Sequence, residues 1–344
     1  MTEVVLPGIV EPDGLLLRSR PVPEPGPGQA LVRVEASGVS FAEQGMRRGR
    51  YPGQPRFPFV PGYDLVGVVT AVGPGVGPAL LGIRVAALTK TGGWATHAVR
   101  TAADLVPVPA GVDPAEAETL VVNGLTALQM LRRARVRPGG TVLVHGANGG
   151  VGSLLVQLAQ HQGLRVVGSA SPRHHDVLRA AGVEPVDYAD LPGLEVRVRA
   201  LAPDGVDAVF DNVGGPTVRS SWRLLARGGT LVSYGIASGR DARRSMLSQF
   251  ATHLPRLLWW GLLPNGRSTT FYDVWAGHRL RPARFRARLH HDLGHLFGLL
   301  AGGAVAAPVA ARFPLAEIAA AMRLAESRTV RGKVVVLPEP GLSR

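Results

Sequence analysis

The stretch Val142–His175, VLVHGANGGVGSLLVQLAQHQGLRVVGSASPRHH, decides the fold. An apolar run gives way to glycines at 146, 149 and 152, and a helical pattern starts at once. The periodicity predicts a strand over 141–146, a helix over 151–162 and a second strand over 165–170. Between them, Gly146-x-x-Gly149-x-x-Gly152 has the spacing of a turn that brings backbone close to a pyrophosphate. The first glycine permits the turn, the third close helix–strand packing, and the helix N-terminus supplies N–H groups and a positive dipole.

The residues expected to cradle a dinucleotide are therefore Gly146, Asn148, Gly149, Gly150, Val151 and Gly152. Such a turn is usually followed, about 20 residues on, by an acid that binds a ribose 2′-hydroxyl. Here no Asp or Glu precedes Asp176, and Ser171 and Arg173 stand where the acid would be. An acid would repel a 2′-phosphate, whereas Ser and Arg suit one. The expected cofactor is NADPH.

The alternation continues downstream. Helix 173–181, strand 184–188, helix 190–202, strand 206–211, helix 215–225 and strand 229–235 follow in order. Strands such as TVLVH and DAVFD are apolar on both faces, which implies parallel strands covered by crossover helices. The fold class is α/β, a doubly wound parallel sheet. The front third is different: 29–40, 63–73 and 84–88 read as strands separated by Gly and Pro turns. From Pro114 a helical pattern appears, interrupted at Gly124. The tail offers helices near 284–301 and 315–327 and a last strand at 332–337.

Composition narrows the function classes. The chain has 344 residues, room for two domains, and no cysteine, which removes disulfides, thiolate metal sites and a Cys nucleophile. The start MTEVVLPGIVEPDG lacks the basic and apolar regions of a signal peptide, and no run reaches the ~18 apolar residues of a membrane span. A cytoplasmic protein with no membrane span is expected. Net charge is +13, yet the arginines are dispersed and only Lys90 and Lys333 are lysines, so nucleic acid is not the expected partner. The interval Arg240–Arg288 is the exception, with ten Arg against Asp241 and Asp273. It reads as a solvated basic face or as a site for an anionic ligand or acidic protein.

The runs FVPGYDLVGVVTAVGPGV, VLVHGANGGVGSLLVQLA, DNVGG and GKVVVL together resemble the medium-chain dehydrogenase/reductase superfamily, and most nearly its zinc-independent quinone oxidoreductase and enoyl reductase branch. The resemblance covers nearly the whole chain. It implies a Rossmann domain over 122–267 and a GroES-like β-rich catalytic domain formed by 1–121 and 268–344, in a homodimer. The run that supplies a Cys zinc ligand in the zinc alcohol dehydrogenases is GVSFAE here, with Ser40 and Phe41. The later GHE is GYD, with Tyr63 and Asp64. No catalytic metal is expected, because neither Ser nor Phe replaces a thiolate. His291 and His295, at i and i+4, read as a polar helix face.

Without a Lewis acid, a quinone or a conjugated C=C is a more tractable hydride acceptor than an isolated carbonyl. The expected reaction is NADPH-dependent reduction of a quinone or enone. The alternatives are reduction of an enoyl thioester on CoA or an acidic carrier protein, and a non-catalytic dinucleotide-binding protein. The resemblance marks Tyr51, in RYPG, as donor or proton source, against simple packing under a proline loop, and Ser40 as a polar substrate-facing residue. It also places Asn123 and Thr126 on a helix facing the nicotinamide, Thr126 being the safer choice. The resemblance also puts Gly235 where backbone approaches that ring and Tyr188 beside the adenosine phosphate, against a Tyr188 that only caps its strand and touches no ligand. The apolar run 250–275 suits core, dimer contact, pocket lining or a membrane surface.

Overall fold

The computed structural model describes residues 1–235 and 246–338, with backbone alone at 246–250. Arg240, Asp241, Arg243 and Arg244 of the basic interval lie outside the described residues. Two compact units share the chain, Met1–Leu125 with Gly277–Arg344, and Thr126–Ala276.

The first unit opens with an antiparallel ribbon of β1 (Thr2–Val5) and β2 (Leu16–Ser19). Then come β3 (Gln29–Val39), α1 (Phe41–Arg47), β4 (Asp64–Val72), β5 (Arg84–Leu88), β6 (His97–Thr101) and β7 (Val106–Pro107). Alternation on β3 points Ala30, Val32 and Val34 into one core with Leu65, Val69, Val85 and Ala98. Next, α2 (Pro114–Thr119) runs through a π turn at Leu120–Gly124 into α3 (Leu125–Ala134). Gly124 thus widens the helix by one turn and does not end it. Such single wide turns often mark functional segments.

The second unit alternates strictly. Its elements are β8 (Thr141–His145), α4 (Gly150–His161), β9 (Arg165–Ala170), α5 (His175–Ala180), β10 (Glu184–Asp187), α6 (Leu191–Leu201) and β11 (Val206–Asp211). α7 (Pro216–Leu224), β12 (Leu225–Ser233), α8 (Met246–Leu262) and β13 (Ser268–Phe271) complete it. All six strands are parallel, in the order β10-β9-β8-β11-β12-β13. β8 is buried along its whole length, as its unbroken apolar run requires. The sequence ends this domain at 267; pairing of β13 with β12 carries the compact unit on to Ala276.

The apolar run from 250 divides by face. On α8, Leu257 is core, Trp260 stacks on Trp222 at 5.3 Å, and His253 bonds Ser233 at 2.8 Å. Leu258 and Trp259 are 70% and 65% exposed. A wholly buried reading of this run therefore holds for one side of α8 only.

The chain then returns to the first unit with α9 (Pro282–Ala301), β14 (Val309–Pro314), α10 (Ile318–Ser327) and β15 (Lys333–Leu337). β15 pairs with β3, so the last strand closes onto the first long one in the order β14-β15-β3-β4-β5-β7. Among the described residues, no helix is long and apolar enough to cross a membrane.

Candidate active site

In the second unit, β8 ends at His145 and the chain turns at Gly146, whose φ of +66° few side chains tolerate. A methyl group added at Gly152 would lie 2.1 Å from the Gly146 carbonyl oxygen, so glycine is required there for close approach. Gly149 caps α4 without any side-chain acceptor. The first-turn N–H groups are therefore left for an outside anion. Gly146, Asn148, Gly149, Gly150 and Val151 are all half-buried, open on the side a ligand would use.

The winding direction of the sheet reverses between β8 and β11, and ligands of such sheets bind at the carboxyl ends of the strands at that reversal. Asn212, just past β11, stands there. Its Oδ1 is buried with no hydrogen-bond partner. A methyl at Gly146 would be 3.6 Å from Asn212 Nδ2, and one at Gly235 would be 3.3 Å from the Asn212 carbonyl oxygen. The fold thus gathers Gly146 and Gly235 around an asparagine that sequence reading passed over. The signal was present in DNVGG, but only the strand order puts it at the reversal.

Beneath this edge runs a buried polar chain. Ser221 Oγ donates to Asp211 Oδ2 at 2.8 Å, and His145 lies 3.0 Å from Ser221 and 2.9 Å from Ser169. Because the Ser221 hydrogen is committed to Asp211, a neutral His145 donates from Nε2 and accepts at Nδ1 from Ser169. Asp211 Oδ1 accepts the Val213 and Gly214 N–H groups, both at 2.8 Å, and so fixes the loop that holds Asn212. Burial holds His145 below the ordinary histidine value, against the opposing pull of Asp211.

Ser171 follows β9 directly and Tyr188 follows β10. Because Ala170 pairs with Asp187, the two residues leave neighbouring strand ends. Arg173 is exposed in the single turn Pro172–His174, and its Nε donates to His174 Nε2 at 3.2 Å. Partial burial, then the charges of Arg173 and His175, lower the His174 pKa. Tyr188 is 55% exposed. Ser171 and Tyr188 thus leave neighbouring strand ends, with Arg173 and His174 in the turn that follows Ser171. Asn123 is buried in the π turn and Thr126 at the start of α3. Among the described residues no hydrogen bond ties Thr126 to the glycine turn.

In the first unit, Ser40 caps α1. Its N–H donates to Glu43 Oε2 at 2.9 Å, its hydroxyl makes a very short bond to the same oxygen, and Tyr63 N–H donates to Glu43 Oε1 at 2.6 Å. Burial and the charge of Asp64 raise the Glu43 pKa. The Tyr51 and Tyr63 hydroxyls meet at 2.6 Å with their rings edge to face. Tyr63 is buried, while Tyr51 and Ser40 keep partial access to solvent.

Asp64, next in the chain, faces elsewhere. Lys333 Nζ spans Asp64 Oδ2 and Glu118 Oε1 at 2.6 Å each, with all three side chains sealed from solvent. Asp64 Oδ2 also accepts the Val122 N–H at 3.1 Å. Burial, with Asp64 adding to it, lifts the Glu118 carboxyl well above the carboxylate range. The two carboxylates raise Lys333 in spite of its burial.

Residues 26–110 match the family model of the alcohol dehydrogenase GroES-like domain, and 182–336 match that of the zinc-binding dehydrogenases. The chain is 33% identical over 98% of its length to the synaptic vesicle membrane protein VAT-1 homolog of Rattus norvegicus, spanning 84% of that protein. The chain belongs to the medium-chain dehydrogenase/reductase superfamily of oxidoreductases. The quinone oxidoreductase of Thermus thermophilus, solved with and without NADPH, superposes with a TM-score of 0.77 at 34% identity, over 98% of this chain and all of that one. A Mycobacterium tuberculosis phthioceranic/hydroxyphthioceranic acid synthase is 34% identical over 93% of this chain, which spans 14% of the synthase.

The zinc of some members of this superfamily does not fit the side chains present here. Ser40 is engaged with Glu43, the Tyr63 hydroxyl with Tyr51, and Asp64 with the ammonium of Lys333. Among the described residues, no three His, Cys, Asp or Glu side chains converge on one point. A dinucleotide does fit the second unit. The uncapped start of α4, the Gly146–Gly152 contact and the orphaned Asn212 oxygen all await one.

Proposed function

We propose that this protein is an NADPH-dependent reductase of a quinone or of the conjugated C=C bond of an enone, working without a metal. The observation that carries the reading is Tyr51, a partly accessible phenol backed by Tyr63 in a family whose zinc ligands are replaced here.

Gly146, Asn148, Gly149, Gly150, Val151 and Gly152 would hold the pyrophosphate. Ser171, Arg173 and Tyr188 would hold the 2′-phosphoadenosine, and Asn212 and Gly235 would face the nicotinamide with Thr126. Bound there, NADPH supplies a hydride. When the acceptor gains it, the electron pair of its double bond shifts to oxygen. When Tyr63 donates in their shared 2.6 Å hydrogen bond, the Tyr51 hydroxyl can turn its own hydrogen toward that oxygen. Tyr51 can then release the proton, and the Tyr63 hydroxyl steadies the phenolate until solvent restores it.

Reduction of an enoyl thioester is the second reading. It is favoured by the match to one segment of a phthioceranic/hydroxyphthioceranic acid synthase. The deciding experiment follows NADPH oxidation with quinones, enones, enoyl thioesters and simple aldehydes. Turnover of the conjugated acceptors with aldehydes inert supports the proposal. Tight NADPH binding with no oxidation by any acceptor would instead identify a non-catalytic dinucleotide-binding protein.

A further inference from the structure

Two cations in the loops around Tyr51 have no acidic partner among the described residues. From residue 44 to residue 103 the only acid is Asp64, sealed against Lys333. The same interval contains Arg47, Arg48, Arg50, Arg56, Arg84, Lys90 and Arg100. Arg47 and Arg48 are taken by Glu326, and Arg84 by Glu35. Lys90 and Arg56, by contrast, have no hydrogen-bond or ion-pair partner for their side chains among the described residues.

Lys90 is placed with care. Its backbone has φ +66°, in the left-handed region that a lysine rarely adopts. The conformation is held by the Thr89 and Lys90 N–H groups, which both donate to the Tyr63 carbonyl at 2.8 and 3.1 Å. Residues in strained backbone are held there by their surroundings and cluster at functional sites. Tyr51 opens a tight turn in which Gln54 N–H donates to the Tyr51 carbonyl at 3.3 Å and Gln54 Oε1 accepts the Tyr51 N–H at 3.2 Å. Gly53 is part of this turn, and the ammonium of Lys90 lies 3.5 Å from where a Gly53 side chain would begin. The cation therefore rests on the turn that presents the phenol. In a chain that otherwise uses arginine almost throughout, this position has the compact point charge of lysine.

We infer that Lys90 makes the Tyr51 site selective for acceptors bearing an anionic group (a carboxylate, sulfonate or phosphate), either on the reducible ring or on the carrier arm of the acceptor. The inference rests on the reductase reading above and names the substrate class of the same site. Lys90 is half-buried, so the attraction acts through partly screened solvent and must weaken with salt.

The test compares kcat/KM for NADPH oxidation within matched pairs: 1,2-naphthoquinone with its 4-sulfonate, and crotonyl-CoA with the neutral crotonyl N-acetylcysteamine thioester. At low ionic strength the charged member should be favoured about tenfold in at least one pair, a free-energy difference of roughly 1.4 kcal/mol. Preference in the quinone pair alone locates the anion on the acceptor ring; preference in the CoA pair alone locates it on a phosphate carrier. In 1 M salt, where the screening length falls to about 3 Å, the ratio should approach one. Lys90→Asn, which keeps a residue tolerant of positive φ, should cut the ratio severalfold, and Lys90→Arg should retain most of it. A ratio near one in both pairs for the active wild type, or an undiminished ratio in Lys90→Asn, would overturn the inference and leave the reductase reading standing. Absence of turnover with every acceptor would overturn the reductase reading, and this inference with it.

Discussion

The hydroxyl of Tyr63 lies 2.6 Å from that of Tyr51, and only Tyr51 keeps access to solvent. A buried phenol thus positions an accessible one. Tyr51→Phe should lower kcat by about 10²-fold or more, in the range of positioned acid–base groups, with NADPH affinity nearly constant. Tyr63→Phe should act in the same direction but less, because it removes the partner and leaves the donor. Unaltered turnover in Tyr51→Phe would make solvent water the proton source.

The proposed roles of Ser171 and Arg173 set an expectation for coenzyme choice. Charge-assisted bonds to a 2′-phosphate contribute roughly 1.5–3 kcal/mol each. NADPH should therefore be preferred over NADH by at least about tenfold in kcat/KM. Arg173→Ala should weaken NADPH while barely touching NADH. Equal losses for both coenzymes, measured by fluorescence titration, would place the Arg173 side chain away from the phosphate.

Metal independence is directly measurable. Ser40, Tyr63 and Asp64 are committed to Glu43, Tyr51 and Lys333. Purified active protein should contain no stoichiometric zinc by elemental analysis, and chelators should not alter its rate. Loss of activity on chelation, restored by zinc, would contradict the assignment.

Lys333 is a stability residue. Lys333→Met would leave Asp64 and Glu118 buried without their cation, a change that usually costs about 3–5 kcal/mol. Replacing all three by apolar residues of similar size should restore most of that loss in denaturant unfolding. A single variant as stable as wild type would mean that the cluster is not sealed in solution.

His145 should tilt the acid side of the stability curve. Burial depresses its native pKa, so the unfolded chain, titrating near 6.5, binds a proton that the native state refuses. Its contribution is present above about pH 6.5 and declines as pH falls below that value towards the native pKa. His145→Asn cannot titrate, so the gap between wild type and variant should shrink between pH 7.5 and 5. A constant gap would show that His145 keeps its ordinary pKa.

Local pattern was enough for the second unit, because each of its devices is contiguous in sequence. The strand at 165–170, the glycines at 146, 149 and 152, and the acid replaced by Ser171 and Arg173 are all readable along about thirty residues. Periodicity of 2 and 3.6 reports burial directly, and a strand–turn–helix unit needs no distant partner to be legible. The resemblance likewise singled out Tyr51 and Ser40, from residues a few places apart.

The tertiary structure decided what depends on residues far apart in the chain. Lys333 meets Asp64 and Glu118 because β15 folds back beside β3, across more than 200 residues. Tyr63 backs Tyr51, and Lys90 stands on the same turn, because a loop after β5 hydrogen-bonds to the Tyr63 carbonyl. Asn212 gains its place only when β11 pairs with β8 and the winding reverses. Periodicity tells a residue which face is buried, but not which polar atom it will meet there. That is set by strand order and register, and it fixes which buried groups go unpaired, which carry a raised or lowered pKa, and which cations remain for a substrate.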